Sequence, residues 1–478
     1  MPAASSSRPE LIRALGITAA ASLIICNIIG QGIFLKARAM TCNVGSPDLV
    51  VVAWVAAGIL ALCGALTFAE LGALTPHSGG PYAFLRRAFG QPLAFAYGWT
   101  IFFLYGPATC AALAAGAAIF INLLTGGALD TFAIHIPLMH WQIAVTGTQC
   151  TGIAILAVVA LINCAPVHVN GTIATLLTIL KVLMVGGLTV AAFALGHGDW
   201  HHFAASGFGG SCAGIAASAR GGATGFAAAM VGALYAYNGW AALTYVAGEV
   251  KNPGRAIPVA LIASMMIVIF LYAAANVAYF YILSSASIAG LSPASSVGIE
   301  VVGTLFGPAA RGIAAALLVV SVIATLHVSV MTIARIVYAY SGDGFFLPWL
   351  ARVSEGGRVP VRSVLALGIL AAVLVLLGSF DSLSDFEIFT GWVFYGLTGL
   401  SVFVLRRKEP DADRPYRVSG YPVVPALFVA TTVWLLAEVI IAAPLRSLIG
   451  LGIIALAVPV YWLRARGTPA HAGPSIRG

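Results

Sequence analysis

Hydrophobic residues run along this chain in long blocks, with only brief polar interruptions. Apolar stretches near 20 residues, mixtures of Ala, Leu, Val, Ile and Gly, recur along most of it. That length carries a helix across the hydrocarbon core of a bilayer. Twelve spans are predicted, near 12–40, 47–74, 90–121, 142–162, 170–196, 223–247, 257–283, 301–335, 362–380, 386–406, 422–442 and 445–464. Most lack the period-two alternation of a membrane β-barrel. The pattern predicts an all-α membrane protein with 12 transmembrane helices in a single transmembrane domain over 1–478.

Two spans are interrupted. The first carries IIGQGIF at its middle, with Gly30 and Gly32 around Gln31; the sixth carries YAYNGW, with Asn238 and Gly239. Glycine costs roughly 1 kcal/mol against Ala inside a helix. Unsatisfied backbone in hydrocarbon costs several kcal/mol per group, so a break persists only where it lines a cavity or holds something. Glycines that merely let intact helices approach are the plain alternative. The placement favours breaks: spans one and six are five apart, as in two five-helix halves of opposite orientation, and interrupted segments at matching places in two halves point to a binding site at mid-membrane. The halves are expected at 11–196 and 223–407, a 5+5 inverted repeat with broken helices 1 and 6, followed by two additional C-terminal helices over 422–464.

Composition agrees: 60% of residues are hydrophobic and 8% charged, too few polar groups to coat a water-soluble body. The net charge of +8 is a matter of placement. With the N-terminus inside, 18 of 24 Lys and Arg fall on inside segments, including Arg8, Arg13, Arg358 and Arg477, while Lys36, Arg38, Arg220 and Arg446 fall outside. This asymmetry places both termini on the cytoplasmic face of a cell membrane and leaves no nucleic-acid role to the basic residues. MPAASSSRPE lacks the pattern of a cleaved signal peptide. The seven Cys are scattered without a CxxC pair and read as small hydrophobes. His197, Asp199, His201 and His202 fit no defined metal geometry. No metal or cofactor is expected.

The breaks dictate a ligand. A half-helix N-terminus offers free N–H groups and about half a positive charge, which suits a carboxylate; a C-terminus offers carbonyls, which suit an ammonium. A zwitterionic α-amino acid carries both. No Asp or Glu is expected mid-span near either break, and that favours a substrate of zero net charge. Lys181 does lie mid-span, about 11 residues into span five, or ~16 Å of helix. Such cations usually face the bundle interior; snorkelling or silent pairing is the alternative. His327 reads as a hydrogen-bonded packing residue, and Glu438 and Arg311 as interfacial.

Five motifs then carry a resemblance: IIGQGIF; AELGALTPHSGGPYAFLRRAFGQP; LYAYNGWAALTYVAGEVKNPGRAIP; ARIVYAYSGDGFFLPWL; and EPDADRPYRVSGYPVVP. In this order, over about 12–465, the chain resembles the amino acid–polyamine–organocation superfamily, most closely its L-type amino acid transporter branch. The resemblance implies a leucine-transporter-like fold and amino acid transport by alternating access. It implies that backbone amides of Gln31, Gly32 and Ile33 receive the substrate carboxylate, and that the carbonyls of Ile28, Tyr235 and Asn238 receive its ammonium. It further implies that Tyr235 gates the site and that Trp392 lines the side-chain pocket. Tyr235 as a packing aromatic and Trp392 as a core or lipid-facing residue are the competing readings.

The superfamily commonly has Ser, Thr or Ala where this chain has Gln31, and Gly where it has Asn238. An amide at 31 folds back and shrinks the pocket or bonds the carboxylate itself. A functional lysine of the family falls on Lys181, which is expected to hold carbonyls near Cys26–Ile29 and remove any need for sodium; proton coupling through it is the rival idea. Some L-type members bind a heavy subunit by a disulfide from the loop between spans three and four. The corresponding loop, 122–141, has no Cys, and no such partner is expected.

The expected function is sodium-independent transport of neutral amino acids, by exchange or coupled to protons. A cationic amino acid or polyamine permease is the alternative. An intramembrane enzyme is disfavoured, because His327, Ser329 and Ser321 make no nucleophile–base constellation. No P-loop supports an ATP-driven pump, and no polar rings mark a channel.

Overall fold

The computed structural model describes residues 15–75, 80–138, 141–164, 171–204, 207, 210–245, 247, 250–293, 295–342, 346–352 and 359–467. Arg8, Arg13, Arg358 and Arg477, part of the inside tally, lie outside the described residues, as do parts of three of the five motifs. The described chain is helical apart from turns and one antiparallel hairpin, in which Ala133 faces Thr146.

The first apolar block forms two helices, α1 (Ile17–Ile28) and α2 (Gly32–Val44), which meet at 46°. Helix α3 (Pro47–Leu74) starts where Ser46 accepts the Leu49 amide, with Pro47 in its first turn, where a missing N–H costs nothing. After α4 (Pro81–Phe89), the third block runs from α5 (Gln91–Thr100) through a wide π turn at Ile101–Tyr105 into α6 (Gly106–Leu124). Pro107 cannot donate to the preceding turn and its ring crowds the carbonyl four residues back; a wider turn relieves both. The hairpin β1 (Ala133–Leu138) and β2 (Trp141–Thr146) leads to α7 (Gly147–Asn163), which Thr146 and Gln149 close with a capping box. Helix α8 (Gly171–Leu195) follows.

The sixth block is α9 (Gly222–Tyr237), an irregular turn, and the single turn α10 (Ala242–Tyr245). Helix α11 (Pro253–Ile282) packs on α1 and α3, and the short α12 (Ser285–Gly290) packs against α2. The eighth block, expected as one span, is cut into α13 (Val297–Phe306) and α14 (Pro308–Gly342), because Gly307 takes φ +85° and Pro308 opens a new helix. Then come α15 (Val361–Leu377), α16 (Phe380–Lys408), α17 (Val423–Ala442) and α18 (Pro444–Gly467). Eight described helices are long and apolar enough to cross a membrane, and the bent pair α1–α2 makes a ninth. This is a multi-pass membrane protein.

Three expectations are corrected here. Helix α16 begins at Phe380, where Ser379 and Ser382 form a capping box, six residues before the expected start of span ten. Asp381 and Asp385 thereby join a membrane helix, and Glu387 moves from its tip to two turns inside. Lys36 and Arg38, counted as outside charges, are buried within α2. Arg38 donates to the carbonyls of Leu291 and Ala213 at 2.6 and 2.8 Å. Finally, two of the cysteines are not simple hydrophobes: Cys42 at the end of α2 is disulfide-bonded to Cys212, 170 residues away. Only the tertiary fold brings them together, so spacing gave no sign of it.

Candidate functional site

The two breaks press on each other. A Cβ on Gly32 would lie 2.7 Å from the Cα of Ala236 in α9. Gly239, at φ +114°, is nearly as tight against the backbone of Asn27, with a Cβ distance of 3.0 Å. Both positions therefore require glycine, for close approach at Gly32 and for conformation as well at Gly239. The Tyr272 hydroxyl of α11 lies 3.0 Å from the Ile28 carbonyl oxygen and 3.2 Å from that of Ala236, so one side chain fastens both interrupted helices.

At the first break the helical ladder stops with the Ile29 amide bonded to Ile25 and resumes with the Phe34 and Leu35 amides on the Gln31 carbonyl. The amides of Gln31, Gly32 and Ile33 thus stand ahead of the first bonds of α2, at its positive end. At the second break the Asn238 amide bonds to the Tyr235 carbonyl at 3.1 Å and the backbone turns extended.

Between the breaks lies a cavity of about 120 Å³. Its walls include Ile28, Gln31, Gly32, Tyr235 and Asn238 from the expected set, joined by Tyr105 of the π turn and by Tyr395 and Glu387 of α16. Two expected residues do not line it. The Ile33 side chain is buried in the core. Trp392 packs against Phe428 and Tyr395, with ring centroids 5.8 and 5.9 Å apart, which is the core reading of that residue. Glu387 lies five residues before Trp392 and Tyr395 three after; near 100° per residue, Trp392 falls on a different face of α16 from Glu387.

Gln31 does not reach into open space. Its Nε2 donates to the Ala112 carbonyl at 2.9 Å and to the Tyr235 hydroxyl at 2.6 Å, and its amide fills the space beside Gly116. The Ala112 carbonyl can only accept, which fixes the amide orientation. Gln31 therefore narrows the site and ties α2 to the Tyr235 ring. Of the carbonyls assigned to the ammonium, Ile28 already accepts from Tyr272 and Tyr235 from Asn238; each retains a second lone pair.

Lys181 stands behind the first break. Its Nζ donates to the Cys26 carbonyl at 3.0 Å and to the Thr325 hydroxyl at 2.8 Å, and it is 2% exposed. A further lysine escaped sequence reading. Lys36, one turn beyond Gly32, binds Asp381 at 2.9 Å and Asp385 at 3.1 Å and sits over the rings of Tyr235 and Phe380 at 5.6 and 5.1 Å. This cluster joins α2 to α16 directly above Tyr235. His327 contacts Asn163 at 2.9 Å, Arg311 pairs with Glu300 at 2.8 Å, and Thr224 donates to Glu438 at 2.8 Å.

The expectation that no carboxylate approaches the breaks is overturned. The Asn238 Nδ2 donates to Glu387 Oε1 at 2.5 Å, and Glu387 is 2% exposed. The cause is the early start of α16: Glu387 lies two turns inside the helix rather than at its tip. Tyr272, Glu387 and the Lys36 cluster were beyond sequence reading, since each owes its place to a partner over 30 residues away; only the polar letters in FDSLSDFEIFTGW hinted at the last two.

The family model described as amino acid permease matches residues 15–462. The serine/threonine exchanger SteT of Bacillus subtilis (strain 168) is 29% identical over 456 residues, covering 95% of this chain and 97% of the exchanger. The human b(0,+)-type amino acid transporter 1 is 27% identical over 436 residues, 91% and 84% of the two chains. The human cystine/glutamate transporter is 29% identical over 455 residues, 95% and 85% of the two chains.

Proposed function

The chain belongs to the amino acid permease family and is an amino acid transporter, not an enzyme, and from that premise we propose that the cavity between the two breaks binds its substrate during alternating access. The carboxylate sits at the start of α2, on the amides of Gln31, Gly32 and Ile33. The ammonium sits by the remaining lone pairs of the Ile28 and Tyr235 carbonyls and by the Asn238 carbonyl. The observation that carries this reading is the mutual contact of the breaks at Gly32–Ala236 and Gly239–Asn27, beside one shared cavity.

Twelve spans follow if α7, α15 and the broken pair α9–α10 are added to the nine, and the two breaks five spans apart support inverted five-helix halves at 11–196 and 223–407, with 422–464 appended. The α2 end with its disulfide faces the oxidising outer side, and both termini face the cytoplasm of a cell membrane. Tyr235, held by Gln31 beneath the Lys36 cluster, is the gate on that outer side. Lys181 holds the end of α1 by the Cys26 carbonyl, a task a sodium ion would otherwise serve, so transport needs no sodium and proceeds by exchange or with protons. The loop 122–141 contains no Cys, and the chain works without a disulfide-linked heavy subunit.

The test is counterflow of labelled amino acids into proteoliposomes of the purified protein in sodium-free buffer. Saturable uptake that is unchanged when choline is replaced by sodium is expected. Uptake no greater than in protein-free liposomes, across the twenty common amino acids and ornithine, refutes the reading.

A further inference from the structure

Glu387 is the only charged residue among the described residues that line the cavity. One of its oxygens is taken by Asn238 at 2.5 Å. The Thr109 hydroxyl faces the same carboxylate and also lies 2.9 Å from the Tyr105 carbonyl, so its single hydrogen is shared between two acceptors. Oε2 is left buried with no hydrogen-bond partner. Among the described residues no cation fills that place. Lys181 is bound to Cys26 and Thr325, and Lys36 to Asp381 and Asp385.

A carboxylate withdrawn from water and served chiefly by one amide is poorly compensated; it either holds a proton or is completed by a cation. The Asn238 backbone belongs to the break that receives the substrate head, while its side chain points to Glu387. A substrate side chain leaving the α-carbon toward α16 meets the Glu387 carboxyl in the cavity wall. An apolar side chain there would displace water and strand the carboxylate further; a protonated amine would complete it.

Resting on the proposed zwitterion site, we infer that Glu387 reads a positive charge on the substrate side chain, so that the protein transports basic amino acids. The cavity measures about 120 Å³, so among basic side chains length is what it limits. Short diamino acids such as 2,4-diaminobutyrate and ornithine therefore fit ahead of arginine.

The experiment is counterflow of labelled ornithine in proteoliposomes of the full chain, with unlabelled ornithine and norleucine as competitors. The pair share their α-carboxylate, α-ammonium and side-chain length, and differ in a terminal ammonium against a methyl group. Wild-type protein is expected to prefer ornithine strongly. In Glu387→Gln the ratio of the two inhibition constants is expected to fall roughly a hundredfold, the scale of stranding one member of a buried charge pair. Glu387→Asp, which keeps the charge, is expected to retain a preference for ornithine; protection of each variant by its competitors against thermal unfolding reports binding independently of transport. Equal competition by norleucine and ornithine in the wild type overturns the inference. So does a Glu387→Gln variant that weakens both equally, which assigns Glu387 to the α-ammonium or to packing. Either result leaves the zwitterion site standing; absence of uptake for every amino acid removes that site as well.

Discussion

Lys181 offers the sharpest test of how the first break is held. Its ammonium gives the Cys26 carbonyl its contact at 3.0 Å. That carbonyl lies in the last turn of α1, among the groups a helix end leaves without an intrahelical partner. Thr325 also accepts from Lys181, but its own hydrogen goes to Ser321 at 3.0 Å, so the hydroxyl keeps a partner when the lysine is lost. Lys181→Met therefore strands one buried carbonyl. A hydrogen bond to a charged group contributes about 1.5–3 kcal/mol, which is about 10- to 100-fold in the population of a conformer that needs it. The initial rate of counterflow in sodium-free buffer, at matched amounts of monodisperse protein, is expected to fall by that factor. Lys181→Arg, which retains a donor of different shape, falls in between. A Lys181→Met rate within about twofold of wild type shows that the lysine does not hold the conformer that transports.

Three further outcomes follow from the packing. Gly32→Ala sets a Cβ 2.7 Å from the Ala236 backbone, where nothing can rotate aside; at an overpacking cost of about 1–3 kcal/mol, transport should be lost while the protein remains folded by size-exclusion chromatography. Gly187→Ala, where a Cβ meets nothing within 4 Å, should transport normally and serves as the control. Trp392→Phe should lower Tm through lost packing on Phe428 and leave KM unchanged, whereas a change in KM would return Trp392 to the pocket. Maleimide labelling of denatured protein should reach Cys42 and Cys212 only after reduction, read by mass; labelling before reduction contradicts the disulfide.

The sequence by itself determined a great deal. Apolar blocks of bilayer length left no stable alternative to membrane helices, because backbone must be satisfied internally in lipid. Two polar residues beside glycines within apolar blocks marked where α1 gives way to α2 and where α9 ends, because glycine beside a polar group is a poor helix interior. Lys181 declared itself by the cost of its depth. What the tertiary structure decided were the pairings made across the bundle. The start of α16 depended on the Ser379 cap, and a shift of six residues carried Glu387 from the expected tip into the cavity wall. The face of Trp392, the partner of Cys42, the two aspartates on Lys36 and the Tyr272 hydroxyl between two helices all depend on which elements lie side by side. Hydropathy records how deep a residue can sit; it does not record what faces it.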